Sequence, residues 1–315
     1  MKVVCIFSGR RNGKGISFAR LALRACKEAG ADETVLINLN DLNIKPCIDC
    51  KACVRRLSDP TFDGTCPLKD DMDWLDEQYL ESDAMIYLSP MYENSAPGPY
   101  KIMCDRLGPS HDVTFQKEAY DNQLARGMKP KVDERFFRTR PVLYIGHGGS
   151  EWNYLSYPTI AIPSIPLGLQ VVDYISIPWS NGALQDERAD EIRKAGKHLV
   201  EMAKLPPEER SYIGDPGICP VCHSRVMYLS DQADGLTCAL CGAIGTLVVE
   251  DGKVRASFTP EAMALSHVLE GGREQHMKDL KEIGRKNATV DYSREKELAR
   301  ELAEEFPCTK PVKGV

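Results

Sequence analysis

The sequence predicts an α/β fold whose core is a five-stranded, parallel, doubly wound sheet, followed by a small four-cysteine ribbon and a helical tail. Two observations support this prediction. Strand-like and helix-like segments alternate over residues 1–205, which is the order of a parallel sheet with crossover helices. From residue 206 the alternation stops, and two cysteine pairs are followed by a hairpin and helical periodicity. We therefore expect an α/β domain over 1–205, a ribbon over 206–260 and a helical tail over 261–315.

The first three strands are predicted from short apolar runs. Residues 3–7 form a run typical of a strand that is buried on both faces, and apolar residues at helical spacing follow over about 17–29. Residues 34–39 and 84–88 are the second and third strands. Asp71 lies between them, where it can cap a helix.

The second half of the domain continues this order. Residues 97–107 are predicted to form a helix, 141–145 and 171–177 the last two strands, and about 184–203 a final helix. Residues 110–140 interrupt the order, because they are polar and weakly periodic. We expect them to form an inserted loop of the kind that serves as a lid or a subunit contact.

Composition places the chain among soluble globular proteins. Of its 315 residues, 43% are hydrophobic and 27% charged, and no apolar run is long enough to cross a bilayer. The first residues are typical of a strand rather than a secretory signal peptide. Twelve cysteines without an export signal indicate a reducing, cytoplasmic location with metal-bound thiols. A net charge of −6 argues weakly against nucleic acid or anionic membranes as partners.

A cysteine-rich segment follows the second strand. Cys47, Cys50 and Cys53 are separated by two residues each, and Cys66 follows after twelve more. Thiolates at this spacing can bind one [4Fe-4S] cluster, whose fourth ligand arrives after a short loop. A zinc site more often uses two separated cysteine pairs, so the third close cysteine favours a cluster. Buried thiols or a structural metal clip are the alternatives.

The turn after the first strand, residues 8–17, has the sequence SGRRNGKGIS. Its backbone N–H groups and those of the following helix can hold a phosphate, and its basic side chains add positive charge. The turn matches neither the P-loop pattern nor G-x-G-x-x-G. The pattern alone therefore leaves open an ordinary glycine-rich turn.

Taken together, these segments resemble the NAD(P)H-dependent FMN reductase group of the flavodoxin-like superfamily and, within it, the iron–sulfur flavoproteins. The resemblance covers about residues 1–205 and depends on the order and spacing of its motifs. These motifs are the 8–17 turn, the 47–66 cysteines with Lys69-Asp70-Asp71-Met72 behind them, Ser89-Pro90-Met91-Tyr92, Lys101 with Asp105-Arg106, and Gly146-His147-Gly148-Gly149.

The resemblance implies that FMN binds at the carboxyl ends of the strands, where an open α/β sheet also places its ligands. Separate loops would then hold the phosphate and the isoalloxazine ring. The phosphate would contact Ser8, Arg10, Arg11, Gly15, Ile16 and Ser17. The ring would contact Pro90, Met91, Tyr92, Glu93, Asn94, Gly146, His147, Gly148 and Gly149.

The 8–17 turn departs from the family pattern in its phosphate contacts. Gly9 and the pair Gly15-Ile16 stand where the family carries Ser, Asn or Thr side chains. We therefore expect backbone N–H groups and Arg11 to hold the phosphate, with Arg10 as the second candidate.

Three residues that follow the third and fourth strands are catalytic candidates, because flavin-facing groups lie there in the family. They are Tyr92, His147 and Glu151, although a single histidine in such a turn is more often a polar contact than an acid or base. Further candidates for lining the acceptor pocket are His111, Tyr120 and Trp152.

The second cysteine group predicts a ribbon with one metal site. Cys219, Cys222, Cys238 and Cys241 form two pairs fifteen residues apart. Zinc is favoured, and a rubredoxin-like iron that relays electrons is the alternative. Residues 206–260 carry four Lys and Arg against seven Asp and Glu, so the ribbon lacks the basic surface of a nucleic-acid module. We expect it to stabilise the flavin domain.

A hairpin and two helices are predicted after the second cysteine pair. Asp251-Gly252 is a tight-turn signal between residues 246–250 and 253–258. Thr259-Pro260 begins a helix that we expect to end at Gly271-Gly272, and a last helix is expected over about 294–306.

These features together predict an FMN-dependent oxidoreductase that reduces a small organic acceptor such as a quinone, enone, azo or nitro compound. A ferredoxin-like donor would feed electrons through the cluster, or NAD(P)H would donate hydride to FMN. The alternatives are a cluster-free NAD(P)H:acceptor reductase and a non-enzymatic electron carrier or redox sensor. The family builds flavin sites at subunit interfaces, which implies a homodimer or homotetramer.

Overall fold

The computed structural model describes residues 1–230 and 235–307. Residues Met1–Glu274 form one compact unit, and the described residues from Gln275 onward form a second. The ribbon therefore belongs to the same compact unit as the sheet, although the sequence suggests a boundary at residue 205. The reason is a shared apolar core, in which Leu240 and Ala243 of the ribbon join the cluster that contains Tyr157.

The predicted five-stranded parallel sheet is confirmed. Its strands are β1 (Lys2–Phe7), β2 (Glu33–Asn38), β3 (Ala84–Pro90), β4 (Pro141–His147) and β5 (Gln170–Ile177). They lie in the order β2-β1-β3-β4-β5, and all neighbours pair in parallel. This is the strand order of flavodoxin-like folds, in which successive strands are added first on one side of β1 and then, from β3 onward, on the other. A ligand cleft is expected at the carboxyl ends of these two strands.

Helices cover both faces of the sheet, because successive strand residues point to opposite faces and the residues on both faces are apolar. In β1, Val4 and Ile6 enter one core cluster, whereas Val3 and Cys5 enter the other. The first layer contains α3 (Met72–Glu81), α4 (Gly98–Arg106) and α6 (Ser156–Ile160), and the second contains α1 (Lys14–Glu28) and α7 (Glu187–Ala203). A short helix, α2 (Ala52–Arg55), lies within the cysteine segment.

The expectation that residues 110–140 form an inserted loop is wrong in part, because they contain helix α5 (Val113–Ala125). Asp112 caps the helix, and its Oδ1 accepts hydrogen bonds from the N–H groups of Thr114 and Phe115. The buried face includes Gln116 and Gln123, which is why no apolar period marks the helix in the sequence.

The four-stranded ribbon is antiparallel, as the hairpin signal predicts. Its strands are β6 (Met227–Leu229), β7 (Gly235–Cys238), β8 (Ile244–Glu250) and β9 (Lys253–Ser257). Asp251 and Gly252 join the last two strands with φ values of 53° and 71°. Two successive positive φ values match the right-handed twist of a hairpin, and Asp-Gly adopts them readily.

The last helices are α8 (Pro260–Ala264), α9 (Glu270–Asn287) and α10 (Ser293–Glu305). The prediction that the helix after Thr259 extends to Gly271-Gly272 is wrong, because these glycines lie in the first turn of α9. A Cβ atom at Gly272 would lie 2.2 Å from the carbonyl oxygen of Ser266. Glycine is needed there for close backbone packing rather than for a helix end. Among the helices of residues 1–230 and 235–307, none is long and apolar enough to cross a membrane.

Candidate functional site

A cleft of about 380 Å³ opens at the carboxyl ends of the strands. Its wall comes from the turn after β1, the ends of β3 and β4, and the turn after β5. Eight of the predicted cofactor-binding residues line it: Arg10, Gly15, Pro90, Met91, Tyr92, His147, Gly148 and Gly149. Six further residues line it that the sequence analysis did not name one by one as contacts: Phe7, Gly9, Asn12, Gly13, Lys14 and Ser180. Phe7 directly precedes the predicted 8–17 turn and the next four lie within it, whereas nothing in the sequence singles out Ser180.

The floor of the cleft is the amino end of α1. Gly13 precedes the helix in an extended conformation and makes no side-chain cap, so the first N–H groups of the helix can serve a ligand. Asn38 and Asn40 each donate a side-chain amide hydrogen bond to the carbonyl of Gly9, at 3.0 and 3.1 Å. These hydrogen bonds fix the turn next to the free N–H groups of α1, where an anion can bind.

The two arginines of the turn have different surroundings. Arg10 lines the cleft together with Lys14. The Nε atom of Arg11 instead donates to Asp41 at 2.8 Å, and its side chain is 74% exposed outside the cleft. The structure therefore favours Arg10 and Lys14 over Arg11 as cationic phosphate contacts, which reverses the order expected from the sequence.

His147 lies at the cleft but faces the interior. Its ring meets Phe18 edge-on at 5.6 Å between centroids, and its Nε2 atom would lie 2.4 Å from a Cβ at Gly15. Burial, with a further contribution from the charge of Lys14, lowers the pKa of His147 to about 4. The imidazole is therefore neutral near pH 7 and suits a polar contact rather than a general acid.

Two polar atoms beside the cleft are buried and have no hydrogen-bond partner within the described part of the chain. They are the Nε2 atom of His147 and the Oγ atom of Ser8. Buried polar groups are normally paired, so these atoms indicate that a ligand completes the site. Of the other predicted phosphate contacts, Ile16 is buried in the core and Ser17 donates to the carbonyl of Gly13.

Three predicted ring contacts, Glu93, Asn94 and Gly146, border the cleft without lining it. Tyr92 and Ser95 exchange two backbone hydrogen bonds, and Glu93 and Asn94 between them have φ values of 48° and 62°. The Oδ1 atom of Asn94 accepts from the N–H of Leu155, which ties this turn to the loop after β4. Gly146 packs against Ser156.

The remaining candidates lie outside the cleft. Glu151 is exposed and does not line it. His111 is buried and pairs with Asp76 through its Nε2 atom at 2.7 Å. Tyr120 donates its hydroxyl to Glu134. Of the three catalytic candidates, Tyr92 is the one that is both at the cleft and accessible, with 53% of its surface exposed.

The cysteine segment 47–66 is held at its base by charged residues from the predicted motifs. The guanidinium of Arg106 donates to Asp70 at 2.6 Å and to the carbonyl of Lys45 at 2.9 Å, and both members of the ion pair are buried. Burial raises the pKa of Asp70, but hydrogen bonds from Arg106 and two backbone N–H groups outweigh it and leave the pKa lowered. The far side of the segment is fixed by Gln116 and Gln123.

Three thiols of this segment lie near one another. Burial is the main cause that raises the pKa of Cys53, and Cys66 and Cys50 add to it electrostatically. Burial lowers the pKa of Arg106, but the hydrogen bond to Asp70 and, after it, the charge of Cys66 leave the pKa raised. Cys50, Cys53 and Cys66 are half-buried, whereas Cys47 lies on an exposed part of the loop.

The ribbon cysteines form a tight metal-binding geometry. The sulfurs of Cys219, Cys222, Cys238 and Cys241 all lie within 4.8 Å of one another and are buried. The closest pairs are 3.6 and 3.4 Å apart. Four sulfurs around one zinc ion lie about 3.8 Å apart, because each is about 2.3 Å from the metal. Elsewhere in residues 1–230 and 235–307 no other group of metal-ligating side chains is this compact.

The wider spacing of the 47–66 cysteines does not contradict a cluster. Each cysteine that binds an iron–sulfur cube contacts a different iron. The four cysteine sulfurs therefore lie farther apart than four cysteine sulfurs around a single ion. The two cysteine groups therefore suit different metal centres.

Comparisons with known proteins agree with this architecture. The profile of the NADPH-dependent FMN reductase family matches residues 1–157. A flavone synthase of Aspergillus candidus is 28% identical over 298 residues, 90% of this chain and 89% of that protein. An iron–sulfur flavoprotein of Archaeoglobus fulgidus is 31% identical over 204 residues, 64% of this chain and 80% of that protein. A solved flavone reductase is 29% identical over the whole of both chains, with a TM-score of 0.81.

Proposed function

The chain belongs to the NADPH-dependent FMN reductase family, and we propose that it uses FMN to reduce the conjugated carbon–carbon double bond of a flat, flavone-like enone. As a family member it is a flavin-dependent oxidoreductase of the flavodoxin-like type. The acceptor, the electron donor and both metal centres belong to the proposal.

The main support for the proposed acceptor is that the chain is similar over most of its length to two proteins that are named for flavone. The similarity to the flavone reductase spans both chains, and that to the flavone synthase spans 90% of this one. Both therefore extend through the ribbon, whereas the iron–sulfur flavoprotein covers 64% of this chain. Flavone is itself an enone, since its ring double bond is conjugated with a carbonyl.

The residues at the cleft suit FMN. The N–H groups at the start of α1, with Arg10 and Lys14, would hold the phosphate, and the loops at Pro90–Tyr92 and Gly148-Gly149 would flank the ring. Reduced FMN supplies a hydride when bound. Tyr92 carries a hydroxyl at the cleft, where it can donate a hydrogen bond to the carbonyl of the acceptor or a proton to its reduced carbon.

The 47–66 cysteines support a second route for electrons. A cluster on these residues would deliver single electrons from a ferredoxin-like protein, whereas NAD(P)H would deliver hydride directly. A homodimer or homotetramer, in which subunits meet near the flavin, is part of the same proposal.

Flavone reduction can be tested on the oxidative half-reaction alone. The holoenzyme is reduced with one equivalent of dithionite per flavin under argon and mixed with flavone. We expect the flavin absorbance to return and flavanone, heavier by two hydrogens, to form. Tyr92→Phe should slow this step while retaining FMN. Reoxidation by a quinone or nitro compound, but not by flavone, would favour the broader reductase and contradict the proposed acceptor.

The phosphate contacts give a matched pair of variants. Arg10→Ala should weaken FMN binding about 10- to 100-fold, since a charge-assisted hydrogen bond contributes roughly 1.5–3 kcal/mol and about 1.4 kcal/mol is tenfold. Arg11→Ala removes the same side chain one residue later but outside the cleft, so its FMN affinity should change less than about twofold. Titration of the apoprotein with FMN measures both.

Riboflavin, which lacks the phosphate, is the control ligand for this pair. Arg10→Ala should bind it as wild type does. A larger loss of FMN affinity in Arg11→Ala than in Arg10→Ala would show that the phosphate lies elsewhere.

A further inference from the structure

We propose that Trp179 determines specificity for the acceptor, because a strained turn fixed beside the cleft presents its indole to a flat aromatic molecule. The inference rests on the proposed function and names the chemical class that the same site selects, namely fused or linked planar aromatic rings. Neither the sequence motifs nor the cleft lining identifies this residue.

The turn after β5 is fastened to the flavin-side loop. The N–H of Gly148 donates to the carbonyl of Ile177 at 3.0 Å, and the N–H of Ser180 donates to the carbonyl of Gly148 at 3.1 Å. Ser180 itself lines the cleft. Trp179 lies between these two anchored positions, so its backbone is fixed at the mouth of the cleft.

The backbone at Trp179 is left-handed, with a φ of 49°. The other positive-φ residues apart from glycine in the described chain are polar or charged: Asp49, Lys51, Glu93, Asn94, His223 and Asp251. A bulky aromatic side chain adopts this conformation rarely and at an energetic cost. The indole is also 58% exposed, so the fold gains little from burying it.

Arg188 maintains the strained conformation. Its NH1 atom donates to the carbonyls of Pro178 at 3.1 Å and Trp179 at 2.9 Å, and its NH2 atom donates to that of Asn181 at 3.2 Å. The Asp186 carboxylate accepts hydrogen bonds from the Nε and NH2 atoms of the same guanidinium, and these hydrogen bonds raise the pKa of Arg188. A guanidinium that binds three carbonyls of one turn over-determines its shape, which is how strain persists at functional sites.

Two other loops at this edge of the sheet also present an exposed aromatic ring. Tyr92 follows β3 and is 53% exposed, and Trp152 follows β4 and is 59% exposed. A flat acceptor that stacked one face on a bound flavin would leave its other face for an apolar surface. Aromatic rings stack on such a face with little loss of side-chain freedom. Trp179 is the one of the three whose backbone is clamped by a neighbouring side chain.

The test compares Trp179→Ala with Trp179→Phe and with Trp74→Ala, a matched exposed tryptophan on α3, which does not line the cleft. Each FMN-loaded variant is titrated with flavone and with menadione, and the change in flavin absorbance gives Kd. The flavone kcat/KM and the rate with ferricyanide, which needs no stacking surface, are measured in parallel.

We expect Trp179→Ala to raise Kd and KM for both flat acceptors about tenfold, the size of a lost aromatic stacking contact. Ferricyanide reduction and FMN affinity should stay unchanged, Trp179→Phe should recover most of the affinity, and Trp74→Ala should match wild type. Arg188→Gln should reproduce part of the loss although it leaves the indole in place, because Arg188 is a positioning residue.

The outcomes separate this inference from the proposed function. If wild type binds menadione through Trp179 but does not reduce flavone, the proposed acceptor is wrong and the role of Trp179 stands. An unchanged Kd in Trp179→Ala overturns the inference. So does a Trp179→Ala protein that loses its oligomeric state while binding flavone normally, since the indole would then serve a subunit contact. If wild type binds neither flat acceptor, both proposals fail.

Discussion

Replacing Cys241 with serine should release the ribbon metal and destabilise the whole unit of residues 1–274. All four ribbon sulfurs are buried, so loss of one ligand leaves three thiols and a serine hydroxyl together without an ion. Structural zinc sites contribute apparent binding free energies of about 10–16 kcal/mol in small peptides at neutral pH, and this binding is coupled to folding. We therefore expect a fall of several kcal/mol in the free energy of unfolding.

The effect should reach the sheet because the ribbon is joined to it. The hydroxyl of Tyr157 on α6 donates to the carbonyl of Cys222, and both residues are in the core cluster that contains the β3 residues Met85 and Tyr87. Solubility and assembly should decline before the flavin spectrum changes, since the ribbon cysteines do not line the cleft.

Urea unfolding and metal analysis of the purified protein measure this prediction. We expect one zinc per chain in wild type and none in Cys241→Ser. Cys104→Ser is the matched control, because Cys104 is a buried thiol of α4 outside the metal site. It should retain the zinc. A ribbon iron that is reduced during turnover would contradict a purely structural metal.

The architecture was predictable from sequence because its determinants are local. A parallel strand buried on both faces needs a continuous apolar run, and β1, β3 and β4 each have one. The ribbon was predictable for a different reason. One tetrahedral ion restricts how its ligands can be spaced along the chain, and the spacing of Cys219, Cys222, Cys238 and Cys241 is typical of such a site.

Other features depend on partners distant in sequence and could not be predicted in this way. Arg10 lines the cleft whereas Arg11 pairs with Asp41, which follows β2, and no local pattern in the 8–17 turn distinguishes the two. Helix α5 was missed because its buried face carries Gln116 and Gln123, whose amides find carbonyl partners in the cysteine segment. Trp179 belongs to no sequence motif, and its left-handed φ can be seen only in the structure.

The same distant contacts bear on the cluster, because they shape the segment that would hold it. Gln116 donates to the carbonyl of Gly64 at 2.8 Å, and Gln123 donates to that of Phe62 at 2.7 Å. Residues 45 and 70 are joined by the Lys45 N–H, which donates to Asp70 at 2.9 Å. A segment closed at its base and fixed on its far side can keep thiols in place before metal arrives, as ligand sites require.

Replacing Cys50 with serine should therefore abolish iron and acid-labile sulfide while FMN remains bound. Cys50 is the middle cysteine of the three-cysteine run, and left-handed residues on both sides, Asp49 and Lys51, turn the chain around it. Serine cannot supply the thiolate that an iron of the cube needs. We expect stoichiometric loss of the cluster, measured by iron and sulfide assays on protein purified without oxygen.

Cys26→Ser controls for the loss of a thiol, because Cys26 is buried in α1 and donates to the carbonyl of Gly196, far from the segment. It should keep both the cluster and the flavin. Activity separates the two electron routes: if the cluster feeds the flavin, Cys50→Ser should lose reduction by a ferredoxin-like donor but keep the dithionite-driven reaction with flavone. Wild-type protein that holds no iron or sulfide when purified anaerobically would instead assign these cysteines a structural role and leave NAD(P)H as the donor.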